Sequence, residues 1–156
     1  MDICDVISVE DVVLDLRPEG KTRLLKDLAV LASRRVGIQA GEIVSVLSAR
    51  EKLGSTGLGL GVAIPHAKMR GLKRPFGLFA RLDAPCPFEA IDGQAVDLVV
   101  LLLMPEASPQ EHLNVLARIA RLLRDGEAVA GLRKAADAES LYRLLTEGKI
   151  RQAAVA

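Results

Sequence analysis

Val96-Asp-Leu-Val-Val-Leu-Leu-Leu-Met104 carries a single charge, Asp97, and lies between the turn pair Asp92-Gly93 and Pro105. A strand with one solvated face alternates apolar and polar residues, whereas a near-continuous apolar run is what a central strand covered on both faces requires. The run falls far short of the ~20 residues that span a bilayer, so no membrane insertion is expected. Covering two faces of a strand takes helices, and the chain supplies candidates on both sides of the run. The expected architecture is therefore α/β: a single-domain sandwich, residues 1–156, with a mixed β-sheet flanked by helices.

Downstream, Ser108 and Glu111 read as a capping box with Pro109 at the first helical position, where its missing N–H costs nothing. The helix continues through Leu113, Val115, Leu116, Ile119 and Leu123 to about Arg124, with His112 in its first turn. Asp125 is expected to cap a short helix to about Lys134, and Asp137 another from Ala138 to about Glu147, ended by Gly148 before a frayed tail. Upstream, Phe76–Leu82 is expected as a strand, broken by Asp83-Ala-Pro85-Cys-Pro87 ahead of Phe88–Ile91 and the Asp92-Gly93 turn. Val12–Leu16 reads as a first strand. Leu24, Leu25, Leu28, Leu31 and Ala32 recur at helical spacing from Lys21, and Gly37 stands where a left-handed cap belongs. A second helix runs from about Ala40 to Leu53 and stops at Gly54.

Lys and Arg number 21 against 20 Asp and Glu, a formal charge of +1, which argues against a duplex-binding surface. Aromatics make up 3% of the chain and Trp is absent, so stacking platforms for single-stranded nucleic acid are not expected either. Cys4 and Cys86 are far apart with no C-x-x-C pair, so neither a zinc site nor a disulfide framework is implied. The acidic N-terminal stretch lacks the pattern of a signal peptide, and a cytoplasmic location is expected.

The remaining stretch, Arg50 to Lys68, reads REKLGSTGLGLGVAIPHAK. It gathers Gly54, Gly57, Gly59 and Gly61, the hydroxyls Ser55 and Thr56, an arginine and His66. Glycines let backbone N–H groups crowd around a ligand, so this turn is a candidate anion-binding concavity. Val62-Ala63-Ile64 reads as a short buried strand, and Pro65 holds Ile64 extended, which puts His66 at a strand end. A phosphate-sized anion beside a largely neutral histidine suggests nucleophilic chemistry on a phosphoryl group. Neither a P-loop nor a G-x-G-x-x-G fingerprint is present, which disfavours nucleotides.

Alternatives stay open at this level. The glycines and His66 also suit a plain hairpin with an incidental histidine. Arg50, in the last turn of its helix, also serves to compensate the dipole. His112 is either an exposed helical residue or a donor at an anion site near unpaired N–H groups. The basic segment Lys68 to Pro75 is either a solvated turn or a docking loop for an acidic partner patch.

The string from Arg50 to Lys68 resembles the phosphorylation-site signature of the mannitol/fructose-type enzyme IIA domains of the bacterial phosphoenolpyruvate-dependent phosphotransferase system. Ser108-Pro-Gln-Glu-His112-Leu-Asn-Val-Leu-Ala117 is similar to the second, helix-borne motif of that family. The resemblance covers about residues 7–146 and is strongest to the stand-alone nitrogen-regulatory branch. It implies the mannitol/fructose-type enzyme IIA fold and a phosphotransferase-system component that carries a phosphoryl group rather than turning over a small molecule. By the same resemblance His66 is phosphorylated, Arg50 neutralises phosphoryl oxygens, His112 donates a hydrogen bond, and Ser55 and Thr56 lie beside the phosphate. The implied donor is a histidine-containing phosphocarrier protein, and the implied targets are regulated proteins such as a potassium transporter or a sensor kinase. No metal or cofactor enters this reading. Two others stand beside it: a sugar-specific component passing phosphate to a separate transporter for fructose or mannitol, and a non-catalytic regulatory binding module.

Overall fold

The computed structural model describes residues 1–107 and 109–155, without the side chains of 109, 111, 112 and 148–155. Two short turns of 3-10 helix, Ile3–Asp5 and Val9–Asp11, lead into β1, Val12–Leu16. Helices α1, Lys21–Val36, and α2, Ala40–Lys52, follow. Three short strands come next: β2, Gly57–Gly59; β3, Val62–Ala63; and β4, His66–Met69. The long strands β5, Phe76–Cys86, and β6, Val96–Pro105, precede α3, Pro109–Arg124, α4, Gly126–Lys134, and α5, Ala138–Val155.

The sheet is mixed, in the order β1-β5-β6-β3-β2, with β4 also on β6. Strand β6 pairs antiparallel with β5 on one side. On its other side β3 and β4 run parallel to it end to end, Val62 opposite Leu98 and His66 opposite Leu102. The apolar run behaves as its composition dictates. Val99, Leu101 and Leu103 enter a core shared with Leu24 and Leu28 of α1 and Ile43 and Leu47 of α2. Leu98, Val100, Leu102 and Met104 enter a second core with Val115 and Ile119 of α3, Leu132 of α4 and Leu141 of α5. Each helical layer therefore hides one face of a strand that has almost no polar side chain of its own.

Local signals account for most boundaries. Gly37 closes α1 in the left-handed region at φ 74°. The Asp125 carboxylate accepts from the Glu127 and Ala128 N–H groups at the start of α4. Helix α3 begins at Pro109 as expected, while the Ser108–Glu111 capping box lies outside the described residues.

Three expectations need correction. Asp83–Pro87 does not end β5, which runs to Cys86 and pairs it with Val96 across a register shift beyond Arg81. Its pairing with β1 stops at Leu82, so Pro85 falls where the strand has a free side and a bulge, the setting that tolerates proline. Gly148 does not end α5, which continues to Val155; an interior glycine costs a helix ~1 kcal/mol without forbidding it. Finally, Lys68 and Met69 belong to β4, and Met69 is buried, so the basic loop begins at Arg70.

Candidate functional site

His66 is the first residue of β4 and is half-buried. Ala67 and Met69 pack toward α1 and α2, so strand alternation puts His66 on the face that carries α3. Its Nδ1 lies 2.7 Å from the Ile64 carbonyl oxygen. A carbonyl only accepts, so Nδ1 bears the proton and Nε2 carries the free lone pair of the neutral ring.

The environment favours that neutral form. Burial holds the His66 pKa below the ordinary histidine value. The Ile64 carbonyl and the Glu51 carboxylate pull it up, and the Arg50 guanidinium pushes it down. Because the folded value lies below the unfolded ~6.5, the unfolded chain binds the proton more readily between the two. The stability tied to this group is complete above ~6.5 and declines as pH falls toward the folded value. An NMR titration of the imidazole should show a midpoint below 6.5; a midpoint above it would contradict this electrostatic picture.

Arg50, in the last turn of α2, donates from Nη1 to the Gly54 carbonyl at 2.9 Å. From there its charge acts on His66, where it favours the neutral imidazole. The loop itself is tightly bonded. Ser55 Oγ accepts from Gly57 N at 3.1 Å and donates to the Phe88 carbonyl at 3.3 Å. Thr56 is buried, and its hydroxyl and N–H both donate to Glu51. Both hydroxyls are therefore engaged with the protein. His112 lies in the first turn of α3, but its side chain is outside the described residues.

Two of the four glycines, Gly59 and Gly61, lie away from His66. Gly57 and Gly59 belong to β2, and Gly59 and Gly61 border a hairpin turn at the far end of β3. Gly61, at φ 84°, leaves no room for a Cβ beside the Arg133 guanidinium, which pairs with Asp97 and takes the Leu60 carbonyl. Gly61 bonds to Asp97 and Leu98 while His66 opposes Leu102, so the hairpin and the imidazole are separated by roughly 16 Å of strand at ~3.3 Å per residue. Gly59 and Gly61 serve close packing at the sheet end.

Sequence reasoning missed Glu51. Its side chain is only 6% exposed, pairs with Lys21 Nζ at 2.8 Å and is felt by His66. One signal was available: an acid in the last turn of a helix opposes the dipole and asks for another reason to be there. Asp2, Cys4 and Asp5 bring potential metal ligands together at the N-terminal turn, but Asp2 already pairs with Arg118 at 2.6 Å. No helix among the described residues is long and apolar enough to cross a membrane.

A mixed sheet between two helical layers, with a neutral strand-end histidine beside an arginine, defines a class that comparison with known proteins makes specific. The family described as phosphoenolpyruvate-dependent sugar phosphotransferase system, EIIA 2, matches residues 5–148, and the chain belongs to it. Within that family it is similar to a nitrogen regulatory protein of Bradyrhizobium diazoefficiens, 48% identical over 145 residues covering 93% of this chain and 95% of the relative. The crystal structure of nitrogen regulatory protein IIA-Ntr from Neisseria meningitidis matches with a TM-score of 0.89 at 38% identity, over 92% of this chain and 99% of that one. The IIA mannitol structure from Escherichia coli shares the fold, with a TM-score of 0.74 at 18% identity over 89% of this chain and 98% of that one.

Proposed function

We propose that this chain is a cytoplasmic phosphoryl carrier. It accepts the group on Nε2 of His66 from a histidine-containing phosphocarrier protein in a phosphoenolpyruvate-dependent relay. The observation that carries this reading is the Nδ1–H bond to Ile64, which leaves the Nε2 lone pair available on a half-buried neutral ring. In the transfer, the N–P bond of the donor histidine breaks as the Nε2–P bond forms. No proton has to leave Nε2, and the retained Nδ1–H stays on the Ile64 carbonyl, which stabilises the positive charge the ring acquires.

Phosphoryl transfer asks the protein mainly to position groups and spread negative charge. Arg50 supplies a guanidinium fork that matches phosphoryl oxygens. His112, brought by α3 to the layer His66 faces, is assigned as a hydrogen-bond donor to the imidazole or its phosphate. Ser55 and Thr56 border the phosphate and hold the turn in shape. The 48% identity to a protein named for nitrogen regulation supports a regulatory output; a potassium transporter or a sensor kinase as the target is what the family resemblance implies. The family description also names sugar, which supports donation to a separate fructose or mannitol transporter as a second reading.

Mass spectrometry of the intact protein after incubation with phosphoenolpyruvate and the two upstream proteins, with site mapping, tests the proposal. One phosphoryl group on His66 is expected, and no label or a label elsewhere would overturn it. Adding membranes separates the outputs, because phosphate appearing on a sugar would favour the second reading. Arg50→Lys should slow transfer about tenfold while the fold is retained, since an ammonium lacks the planar fork. An unchanged transfer rate in rapid-quench measurements would remove Arg50 from the mechanism.

A further inference from the structure

An unbroken chain of contacts runs from α1 to the imidazole. Lys21 Nζ, at the first residue of α1, is 2.8 Å from Glu51 Oε2 and lies 4.5 Å above the centre of the Phe88 ring. The Glu51 carboxylate takes the Thr56 N–H at 3.2 Å on Oε2 and the Thr56 hydroxyl on Oε1. The Thr56 carbonyl accepts from Ile64 N at 3.0 Å, and the Ile64 carbonyl accepts from His66 Nδ1 at 2.7 Å. Glu51 stands in the last turn of α2, and every link beyond Thr56 joins residues of the loop and strand that carry the site.

We propose that Glu51, clamped by Lys21, is the positioning residue for His66: it fixes Thr56, Thr56 fixes Ile64, and the Ile64 carbonyl fixes the ring and its tautomer. The inference rests on the phosphoryl-carrier reading for its effect on rate, though not for its effect on the ring. Burial explains why a charged pair is used here. A carboxylate with 6% of its side chain exposed requires a cation and several donors, and it receives Lys21, an N–H and a hydroxyl. Replacing it by a group that bonds fewer of these partners leaves Thr56 free to turn, and with it the strand segment that orients the imidazole.

The test compares Glu51→Gln, Thr56→Val and Lys21→Met with the unaltered protein in two measurements. The first is the 15N spectrum of the His66 imidazole, which reports the share of ring carrying its proton on Nδ1. The second is phosphoryl transfer from the phosphorylated carrier protein, resolved into a maximal rate and a half-saturating donor concentration. The expected result is loss of the single Nδ1–H tautomer in all three variants. The maximal rate should fall ten- to a hundredfold in Glu51→Gln with the half-saturating concentration unchanged, as a misplacement of ~1 Å produces. Lys21→Arg should recover most of what Lys21→Met loses. Thr56→Val, which severs one bond and leaves the charges in place, keeps the test decisive should Glu51→Gln fail to fold. A wild-type tautomer signature in Glu51→Gln and Thr56→Val would overturn the positioning role. Absence of any transfer to the unaltered protein would overturn the carrier reading while the spectrum still decides this one.

Discussion

His66→Ala should abolish phosphorylation by the carrier protein, with residual labelling more than about a hundredfold below that of the unaltered chain. The magnitude follows from chemistry: the substitution removes the nucleophilic nitrogen itself, and no neighbouring hydroxyl among the described residues is free to replace it. Ser55 and Thr56 are the nearest hydroxyls in sequence, and both are committed to protein bonds, Ser55 to Phe88 and Gly57 and Thr56 to Glu51. The cost to the fold should be small. The ring is half-buried, and among the described residues its one hydrogen bond goes to the Ile64 carbonyl. Circular dichroism should therefore be unchanged while the mass increment of one phosphoryl group disappears. Acid-labile phosphate persisting on the variant would transfer the nucleophile's role to another side chain, with the imidazole of His112 the first to map.

The sandwich was legible because its deciding features are local in sequence. An apolar run such as Val96–Met104 has few homes outside the middle of a sheet, and Gly37 and Asp125 mark helix ends through their own backbone or side chain. The position of His66 at a strand end followed from Pro65, whereas its partnership with Arg50 is what the resemblance implies. What was not legible depends on contacts distant in sequence. The extension of β5 to Cys86 requires a partner at Val96 and a bulge to absorb the prolines, and neither shows in Asp83–Pro87 itself. The glycine spacing looked like a ligand cradle because a close approach to a phosphate and a close approach to Arg133 or Asp92 impose the same demand. Glu51 escaped notice for a related reason. Its cation lies thirty residues earlier, at the start of another helix, and only the packing of α1 against α2 brings them together.

Phe88→Ala should be the most destabilising single change near the site, at ~3–5 kcal/mol. Phe88 is fully buried, in the core beneath α1 and α2, where a deleted ring leaves a cavity that the sheet on one side and two helices on the other cannot close. For a domain of this size that loss corresponds to a fall of roughly 10 °C in melting temperature. Denaturant titration should show a lower midpoint at unchanged slope, and Phe88→Leu should restore more than half of the loss. A loss below ~1 kcal/mol in the alanine variant would show that the cavity collapses and that Phe88 is not a keystone of this core. The same ring also supports Lys21, whose ammonium lies 4.5 Å from its centre. Without the ring, Lys21 keeps Glu51 only by its own ion pair, so the His66 tautomer signal should broaden in Phe88→Ala even well below the melting temperature. Phe88→Leu fills the space but offers no π face. It should therefore recover stability more fully than it recovers that signal, and equal recovery of both would mean that volume alone steadies Lys21.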